Sequence, residues 1–518
     1  MAQVDISPAT ALYRRARYAP AGIALVDEEQ EITAAALADS VRRLARGLAE
    51  GGVRRGDRVA YLGLNSADFF RTMLAAHHLG AVYVPLNFRL AADEIRHILT
   101  DCGAHTLVAE EGHREIAESV LGETPVRLRV LAGAGPAEGG AASWRALAGL
   151  AAGEGSDRDP QPCGEDDLAV LMYTSGTTGR PKGVMLTHGN VWWNAVNVDG
   201  MVDTRPHDVN LAVAPLFHIG GLNALTLRAL LRGGTVVVRR RFDAGRTLRD
   251  IARYRVDSLF AVPAMFADLS QHPDFAAADL GSLRACIVAG AAVPPQLIRT
   301  WANAHGVMLQ QAWGMTETAP FATYLPAEHT LGRTGSAGIP MPFTDVCLKN
   351  PATGESVDKP MERGEICVRG ANVTRGYWDN PAATAASFDS AGWFHSGDIG
   401  YLDEDGYLYV VDRLKEMIIS GGENVYPAEL ERVLAEFPGV TEAAVVGVPD
   451  ARWGETVVAV ITCVTGTPAP TVEEVREFAG RYLARYKLPT RVIVVDELPR
   501  NASGKLAKAP LRSLAADD

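Results

Sequence analysis

The stretch LAVLMYTSGTTGRPKG, residues 168–183, joins an apolar run to a loop of glycines and hydroxyl side chains. The glycines permit backbone angles that other residues resist, so successive amides can turn towards one ligand. Lys182 adds a positive charge beside them. The stretch therefore predicts a strand followed by a polyphosphate-binding loop. It differs from a Walker A loop, because Pro181 stands where that pattern needs its second glycine.

Short apolar runs with strand character alternate with helical stretches on both sides of this loop. They predict a helix at 66–80 and strands at 57–64, 81–87, 168–173, 211–217, 235–240, 258–263 and 285–290. Strands separated by helices are typical of an α/β architecture with largely parallel sheets, which bind ligands beyond the carboxyl ends of their strands. The segment 131–165, rich in Gly, Ala and Pro, predicts a surface excursion with one short helix.

The composition is that of an ordinary globular protein: 518 residues, of which 47% are hydrophobic and 22% charged. This length predicts two or more domains. A formal net charge of −12 argues against a broad nucleic-acid-binding surface. The N-terminus lacks the apolar core of a secretory signal, and no apolar run reaches the roughly 18 residues of a spanning helix. These features predict a cytoplasmic protein without an integral membrane segment.

The six cysteines lie far apart, and no C-x-x-C pair is present. This spacing favours reduced, mostly buried thiols over a disulfide or zinc framework.

The composition changes near residue 400, where an acidic segment that predicts a hairpin is followed by a basic segment. We predict one domain over residues 1–412 and a small α+β domain over 413–518.

The loop YTSGTTGRPKG (173–183) resembles the phosphate loop of the adenylate-forming superfamily, which comprises acyl-CoA synthetases, carrier-protein adenylation domains and beetle luciferases. Further blocks match that family in the family's order: PLFHIGG (215–221), AGAA (289–292), WGMTE (313–317), the stretch 392–429 that contains FHSGDIG, and PRNASGKLAK (499–508). The resemblance covers nearly the whole chain. It implies a large N-terminal domain of mixed and parallel sheets flanked by helices with a β-rich subdomain, and a small mobile α+β C-terminal domain.

The resemblance also implies an ATP site assembled from several blocks. Trp313 stands where the family usually has a tyrosine stacked on adenine, so an aromatic face is retained. Asp398 and Arg413 resemble the ribose-binding carboxylate and its basic neighbour. The implied metal ligands for Mg²⁺ are Thr178 and Glu317, because a hard cation takes oxygen ligands. The residues implied to contact ATP are Thr174, Ser175, Gly176, Thr177, Thr178, Gly179, Lys182, Gly290, Ala291, Ala292, Trp313, Gly314, Met315, Thr316, Glu317, Asp398, Arg413 and Lys505.

Catalytic roles are implied for Lys505, Thr178, Glu317 and His218. Lys505 matches the family's C-terminal lysine, a cation that lowers the repulsion between the attacking carboxylate and the α-phosphate. His218 resembles the residue at the gate between the acyl pocket and the thiol tunnel. Lys415 occupies the family's hinge position. The implied acyl-binding residues are Trp193, His218, Gly220, Ala289, Ala312 and Thr318, and the implied CoA-binding residues are Ser420, Gly421, Gly422 and Glu423.

A two-step reaction follows from these roles. The acid attacks the α-phosphorus of ATP and pyrophosphate leaves; the C-terminal domain then rotates, and a thiol displaces AMP. ATP, Mg²⁺ and coenzyme A are therefore expected, with a small carboxylic acid as the partner molecule. Gly220 and Gly221 leave room that favours a medium- or long-chain fatty acid or another bulky hydrophobic monocarboxylic acid. Ala312 argues against a dicarboxylate, because malonate-type members carry arginine there.

Several alternatives stay open at the level of sequence. The thiol can belong to an acyl carrier protein, although 318–362 lacks the insertion that fatty acyl members of that kind carry. An aryl acid or a short-chain acid is an alternative substrate; closure of the pocket by Trp192 or Trp193 would select short acids. A homodimer is a further alternative to a single chain. A luciferase-like monooxygenase has no feature in its favour, and a non-catalytic nucleotide binder would lack Glu317 or Lys505.

Overall fold

The computed structural model describes residues 4–133, 144–152, 159–174, 181–414, 416–420, 423–450, 454–464, 466–483, 485–501 and 506–517. The chain forms two compact units. The first comprises Met1–Val346 and Val368–Phe394, and the second comprises Cys347–Cys367 and His395–Asp518. The predicted domain boundary after residue 412 stays a prediction.

A seven-stranded sheet in the first unit carries the strand that leads into the phosphate loop. Its strands contribute Tyr61 and Tyr83 to a buried core, into which the helix Ala67–His78 packs Phe70. The last strand pairs antiparallel with its neighbour, and the others pair parallel. The spatial order is Arg145–Ala146, Leu128–Ala132, Thr106–Glu110, Arg58–Leu62, Val82–Leu86, Leu168–Thr174 and Lys182–Thr187.

A nine-stranded sheet in the same unit has a parallel centre and antiparallel edges. Near-continuous apolar runs such as Ala285–Val288 are buried on both faces, as parallel strands require. The spatial order is Ile339–Pro340, Phe321–Tyr324, Leu309–Gly314, Ala285–Val288, Ser258–Ala261, Val209–Ala212, Thr235–Val238, Ile23–Asp27 and Gln30–Thr33.

Several helices of the first unit bury an apolar stripe, and some begin at a residue whose side chain caps them. In Ala34–Glu50 the stripe includes Leu37, Val41, Leu44 and Leu48, and the Thr33 hydroxyl accepts the Ala36 N–H. The α-helices are Pro8–Tyr18, Ala34–Glu50, Ala67–His78, Ala92–Asp101, Arg114–Leu121, Leu147–Ala152, His188–Met201, Ile219–Asn223, Thr226–Leu231, Ala244–Tyr254, Pro263–Gln271, Pro295–His305 and Pro381–Ser387. Short 3₁₀ turns are Glu111–His113, Phe275–Ala277, Thr316–Thr318 and Ala327–His329.

The second unit combines two sheets with three helices among its described residues. A four-stranded sheet, most of which belongs to this unit, has the order Thr344–Lys349, Gly364–Gly370, Phe394–Leu402 and Leu408–Arg413. A second sheet contains Glu423–Val425, Ile418–Ser420, Gly454–Cys463 and Val440–Asp450, and Arg491–Val494 pairs with Gly454–Cys463. The helices are Pro427–Leu434, Val472–Ala479 and Lys508–Asp517, with a 3₁₀ turn at Arg485–Lys487.

One predicted strand ends early. The run 211–217 was expected to be extended throughout, but the strand is Val209–Ala212. Beyond it, the Ala214 carbonyl accepts the Asn65 side-chain amide, and the Leu216 N–H donates to the Asn65 carbonyl oxygen. These side-chain bonds replace a sheet ladder, so this part of the prediction was wrong. None of the described helices combines the length and apolarity that crossing a membrane requires.

Candidate active site

The phosphate loop connects two strands that pair with each other. Thr174 faces Lys182 across the antiparallel ladder, and Tyr173 faces Gly183. The two ends of the loop are therefore held together at one edge of the seven-stranded sheet. The loop positions Ser175, Gly176, Thr177, Thr178 and Gly179 lie outside the described residues. The structure thus fixes the base of the predicted loop, and the predicted contacts of these five residues stay predictions.

Lys182, Tyr377 and Glu317 form a chain of polar groups in the first unit. The Lys182 ammonium lies over the Tyr377 ring, 5.6 Å from its centroid. The Tyr377 hydroxyl donates to the Glu317 carboxylate at 2.9 Å. Burial, followed by the nearby Glu317 carboxylate, raises the pKa of Tyr377 well above its ordinary value, so the hydroxyl keeps its proton. The implied metal carboxylate is thereby oriented and placed near the loop's cation. An anionic oxygen held in this way suits Mg²⁺.

The WGMTE block turns sharply after its strand. A Cβ at Gly314 would overlap the carbonyl oxygen of Pro320, so this approach requires glycine. The Met315 N–H donates to the Thr318 hydroxyl at 2.9 Å, and Thr318 is fully buried. Thr318 was predicted to contact the acyl group, and its hydroxyl bonds within the turn. Trp313, at the end of the strand, is largely buried.

Two residues that the sequence did not single out donate hydrogen bonds to the turn that follows Gly314. The Asn372 amide donates to the carbonyls of Thr318 and Phe321, at 2.7 and 2.8 Å. The Thr374 N–H donates to the Glu317 carbonyl at 2.7 Å. Asn372, Thr374 and Tyr377 come from one segment after Gly370, which carries no glycine-rich or charged signature. Only the fold reveals that this segment supports Glu317, the carboxylate that the sequence implied for Mg²⁺.

The AGAA segment follows a buried strand at the carboxyl edge of the nine-stranded sheet. Ala289 is buried, whereas Gly290, Ala291 and Ala292 are exposed within the first unit. Gly290 has a φ of +91°, in the left-handed region that favours glycine. The segment is therefore exposed beyond the strand end, the position at which parallel sheets bind ligands, and its predicted ATP contacts stay predictions.

Four of the predicted acyl residues lie around one apolar cluster. Ala289 and Ala312 belong to it, and the ring of Phe260 packs against it. A Cβ at Gly220 would come within 2.5 Å of the Phe260 ring. His218 is half-buried at the start of the helix Ile219–Asn223, next to Gly220. Phe260, like Asn372 and Thr374, is a residue that the sequence did not single out.

Trp193 has other neighbours. Its indole N–H donates to Glu165 at 3.3 Å, and its ring lies 5.1 Å from the half-exposed ring of Phe343. The adjacent Trp192 lies beneath the Arg232 guanidinium, 4.9 Å from it. The predicted acyl contact of Trp193 stays a prediction.

In the second unit, Asp398 and Arg413 face each other across neighbouring strands. The Arg413 Nε lies 2.6 Å from Asp398 Oδ1; Asp398 is buried and the arginine is half-exposed. The pair that the sequence implied for ribose is therefore formed by strand register. Ser420 pairs with Glu423 in a ladder, which places the predicted CoA segment at one edge of a sheet. Lys415, Gly421, Gly422 and Lys505 lie outside the described residues.

A buried ion network follows the Asp398–Arg413 pair in the same unit. The Lys508 ammonium lies 2.7 Å from Glu431 and 3.0 Å from Glu416. Burial lowers the pKa of Lys508, but the two carboxylates outweigh it and the net shift is upward. Burial raises the pKa of Asp412 to about 6, against the opposing effects of the Ala428 N–H and Lys508. The network ties the C-terminal helix to the strand that ends at Arg413.

The Tyr377→Phe variant tests the orientation of Glu317. It should lower kcat/KM for MgATP by about tenfold, because a hydrogen bond to a charged group contributes about 1.5 kcal/mol or more. The Mg²⁺ concentration for half-maximal rate should rise, measured by acid-dependent pyrophosphate exchange. Tyr324→Phe is the matched control, since it loses a buried hydroxyl bonded to Gln310 at 2.8 Å. An equal shift of the Mg²⁺ dependence in both variants would contradict this role.

Residues 12–378 match the AMP-binding enzyme family, and residues 429–505 match the AMP-binding enzyme C-terminal domain. The chain belongs to the AMP-binding enzyme family. A feruloyl-CoA synthase from Amycolatopsis sp is 45% identical over 501 residues, 96% of this chain and 97% of the relative. A long-chain-fatty-acid–CoA ligase from Mycobacterium tuberculosis is 38% identical over 506 residues, 97% of each chain.

A solved relative has the same fold. The o-succinylbenzoate coenzyme A synthetase from Bacillus subtilis, in complex with ATP and magnesium ion, has a TM-score of 0.85 and 35% identity. The match covers 97% of this chain and 98% of that one. The expected family and the expected α/β fold with a small C-terminal domain are confirmed. The chain is an AMP-forming acid–thiol ligase that uses ATP, Mg²⁺ and coenzyme A, as the sequence predicted.

Proposed function

We propose that this AMP-binding enzyme converts a monocarboxylic acid with a planar aromatic ring into its CoA thioester. The observation that carries the proposal is the close approach of Gly220 to the Phe260 ring beside Ala289 and Ala312. Gly220 packs directly against the ring of Phe260, and this half-buried ring offers an aromatic surface for stacking. None of these four residues is charged, which favours an acid whose only charge is the reacting carboxylate. The feruloyl-CoA synthase relative supports an aryl acid.

In the proposed first half-reaction, a carboxylate oxygen attacks the α-phosphorus of ATP and the bond to pyrophosphate breaks. The negative charge on both reactants opposes this approach, and Lys505 and Lys182 supply the cations that offset it. Glu317, oriented by Tyr377, would hold Mg²⁺. Asp398 and Arg413 would bind the ribose. These roles rest on the family's motifs and on the polar contacts described for each unit.

In the proposed second half-reaction, the sulfur of CoA attacks the acyl carbon and AMP leaves with the bonding electrons. His218, next to Gly220, would lie at the entrance for the thiol. The thiol proton passes to solvent or to AMP. Mixed anhydride formation is what makes this step feasible, because AMP is a far better leaving group than oxide. A carrier-protein thiol and a homodimer stay predictions with no observation in their favour.

A long-chain fatty acid is the second candidate, and the mycobacterial relative favours it. A panel separates the two: cinnamate, its hydroxylated and methoxylated forms, 3-phenylpropanoate, octanoate and hexadecanoate, each assayed for CoA thioester formation. The cinnamates should exceed octanoate in kcat/KM by about tenfold, since aromatic stacking contributes about 0.5–1.5 kcal/mol beyond the area buried. A preference for hexadecanoate over every aryl acid would replace the proposal with the fatty-acid one.

The Gly220→Ala variant tests the contact between Gly220 and Phe260. Its new methyl should displace Phe260 and lower kcat/KM for aryl acids by about tenfold or more, the usual effect of one methylene in a fitted pocket. Propanoate turnover and the KM for ATP should change little. The double variant Gly220→Ala with Phe260→Leu should recover part of the aryl activity, because the smaller side chain frees the space. Equal losses with propanoate and cinnamate would place Gly220 outside the acyl site.

A further inference from the structure

Three side chains of metal-ligating types meet in the second unit, and none of them has a role implied for ATP, acid or CoA. Glu365 and Cys367 are two residues apart on the strand Gly364–Gly370, so they point to the same face. His395 lies on the neighbouring strand Phe394–Leu402. The ligand atoms of all three lie within 4.8 Å of one another. Chain order hides this cluster, because sheet pairing brings together residues that lie far apart in the sequence.

The distances are those of a compact site. His395 Nδ1 lies 2.8 Å from Glu365 Oε2 and 3.6 Å from Cys367 Sγ. Bond lengths of about 2.3 Å to sulfur and 2.0 Å to nitrogen give a sulfur–nitrogen separation of about 3.6 Å in a tetrahedral zinc site. The histidine–carboxylate pair would need to open by about 0.5 Å to reach the corresponding separation. One sulfur–nitrogen edge of the tetrahedron is therefore already present.

A fourth group adjoins these three. Cys347 lies on the strand Thr344–Lys349, which neighbours Gly364–Gly370 in the sheet. The Cys347 and Cys367 thiols are within hydrogen-bonding reach of each other. Cys347 is half-buried, so its thiol is partly accessible to solvent.

We propose that Glu365, Cys367 and His395, joined by Cys347 beside Cys367, form a binding site for a thiophilic divalent cation of the Zn²⁺ class. Two sulfurs, one imidazole and one carboxylate select zinc over magnesium, so the site is distinct from that of the ATP-bound Mg²⁺. Each coordinating thiol releases its proton to solvent on binding. The Glu365 carboxylate is already oriented, because its other oxygen accepts the Gly397 N–H at 3.0 Å. The ion would link three adjacent strands, and His395 lies on the same strand as Asp398.

The test is a Co²⁺ titration of the tag-free, full-length enzyme, stripped with a chelator and kept reduced with a phosphine. One Co²⁺ per chain should bind with a thiolate-to-cobalt charge-transfer band, and Zn²⁺ should displace it. Cys367→Ser should abolish most of this band. Cys463→Ser is the matched control, since Cys463 is a half-buried thiol of the same unit and lies outside the cluster. A wild-type enzyme without a charge-transfer band overturns the proposal, as does a band that Cys367→Ser leaves intact.

A second variant guards against loss of folding, because Cys367 is fully buried. His395→Gln can keep a hydrogen bond to Glu365 but loses the imidazole ligand, so its Co²⁺ affinity should fall at least tenfold. The Tm of the wild-type enzyme should rise with Zn²⁺, and that of His395→Gln should not. If the four residues form only a hydrogen-bonded cluster, the Tm of the wild type will be the same with Zn²⁺ and with chelator. That result would also overturn the proposal.

Discussion

Replacing Lys505 with alanine should lower the rate of adenylation by about 10²–10³-fold, the usual cost of removing one group that stabilises charge in a transition state. Thioester formation from supplied acyl-adenylate should largely survive. The physical reason is that Lys505 offsets repulsion between two anions, and only the first half-reaction brings two anions together. Acid-dependent pyrophosphate exchange measures the first step, and CoA thioester formation from synthetic acyl-adenylate measures the second.

Two controls sharpen this result. Lys359→Ala removes an exposed lysine of the second unit and should leave both half-reactions unchanged. Lys505→Arg keeps the charge but moves it, so it should retain more adenylation activity than the alanine variant. A folded Lys505→Ala enzyme that loses both half-reactions equally would show that this lysine does not act in adenylation alone. The proposed exchange of catalytic groups between the two steps would then be wrong.

The strands and helices that the sequence predicted best are those marked by one clear pattern of apolar residues. The apolar runs at 81–87 and 285–290 contain the strands Val82–Leu86 and Ala285–Val288, because burial on both faces needs continuous apolar residues. The helix predicted at 66–80 is Ala67–His78. The run 211–217 was too long, since the Asn65 side chain, distant in sequence, takes over the backbone groups that follow Ala212.

The residues of the candidate site also differ in whether a local sequence signal marks them. Asp398 and Arg413 were found by motif, and strand register does bring them together. Tyr377, Asn372 and Phe260 could not be found, because each acts through a contact with a residue far away in the chain. A tyrosine in a loop has no local signal that its hydroxyl will orient Glu317. The cysteines show the same limit, since Cys347 and Cys367 meet only through pairing of their strands.

Substituting Lys415 with proline should separate the two half-reactions in a different way. We infer that the hinge lies at Lys415, where a change in φ and ψ would carry the C-terminal domain between two orientations. On either side, the Leu414 N–H donates to Gly397 at 2.8 Å, and the N–H groups of Glu416 and Met417 donate to Arg413 at 3.0 and 3.1 Å. Rotation at the hinge would have to break the two bonds to Arg413 and can keep the bond to Gly397.

Proline fixes φ near −65° and disfavours the helical region for the residue before it, so Lys415→Pro should hold the hinge in one state. If that state is the adenylating one, pyrophosphate exchange persists while acyl-CoA production falls by about 10²-fold or more, the size of loss expected when a conformational step is blocked. Lys415→Ala is the matched variant, because it removes the ammonium and leaves the backbone free. It should be much milder than proline.

The hinge is tested by comparing the activities of Lys415→Pro and Lys415→Ala in both half-reactions. Equal damage from alanine and proline would assign the effect to the ammonium group, and the hinge role of the backbone would be rejected. Full activity of Lys415→Pro in both half-reactions would place the pivot elsewhere, and the predicted boundary after residue 412 would move with it. Selective loss of thioester formation in the proline variant alone is the expected result, because only the second half-reaction requires the hinge to have turned.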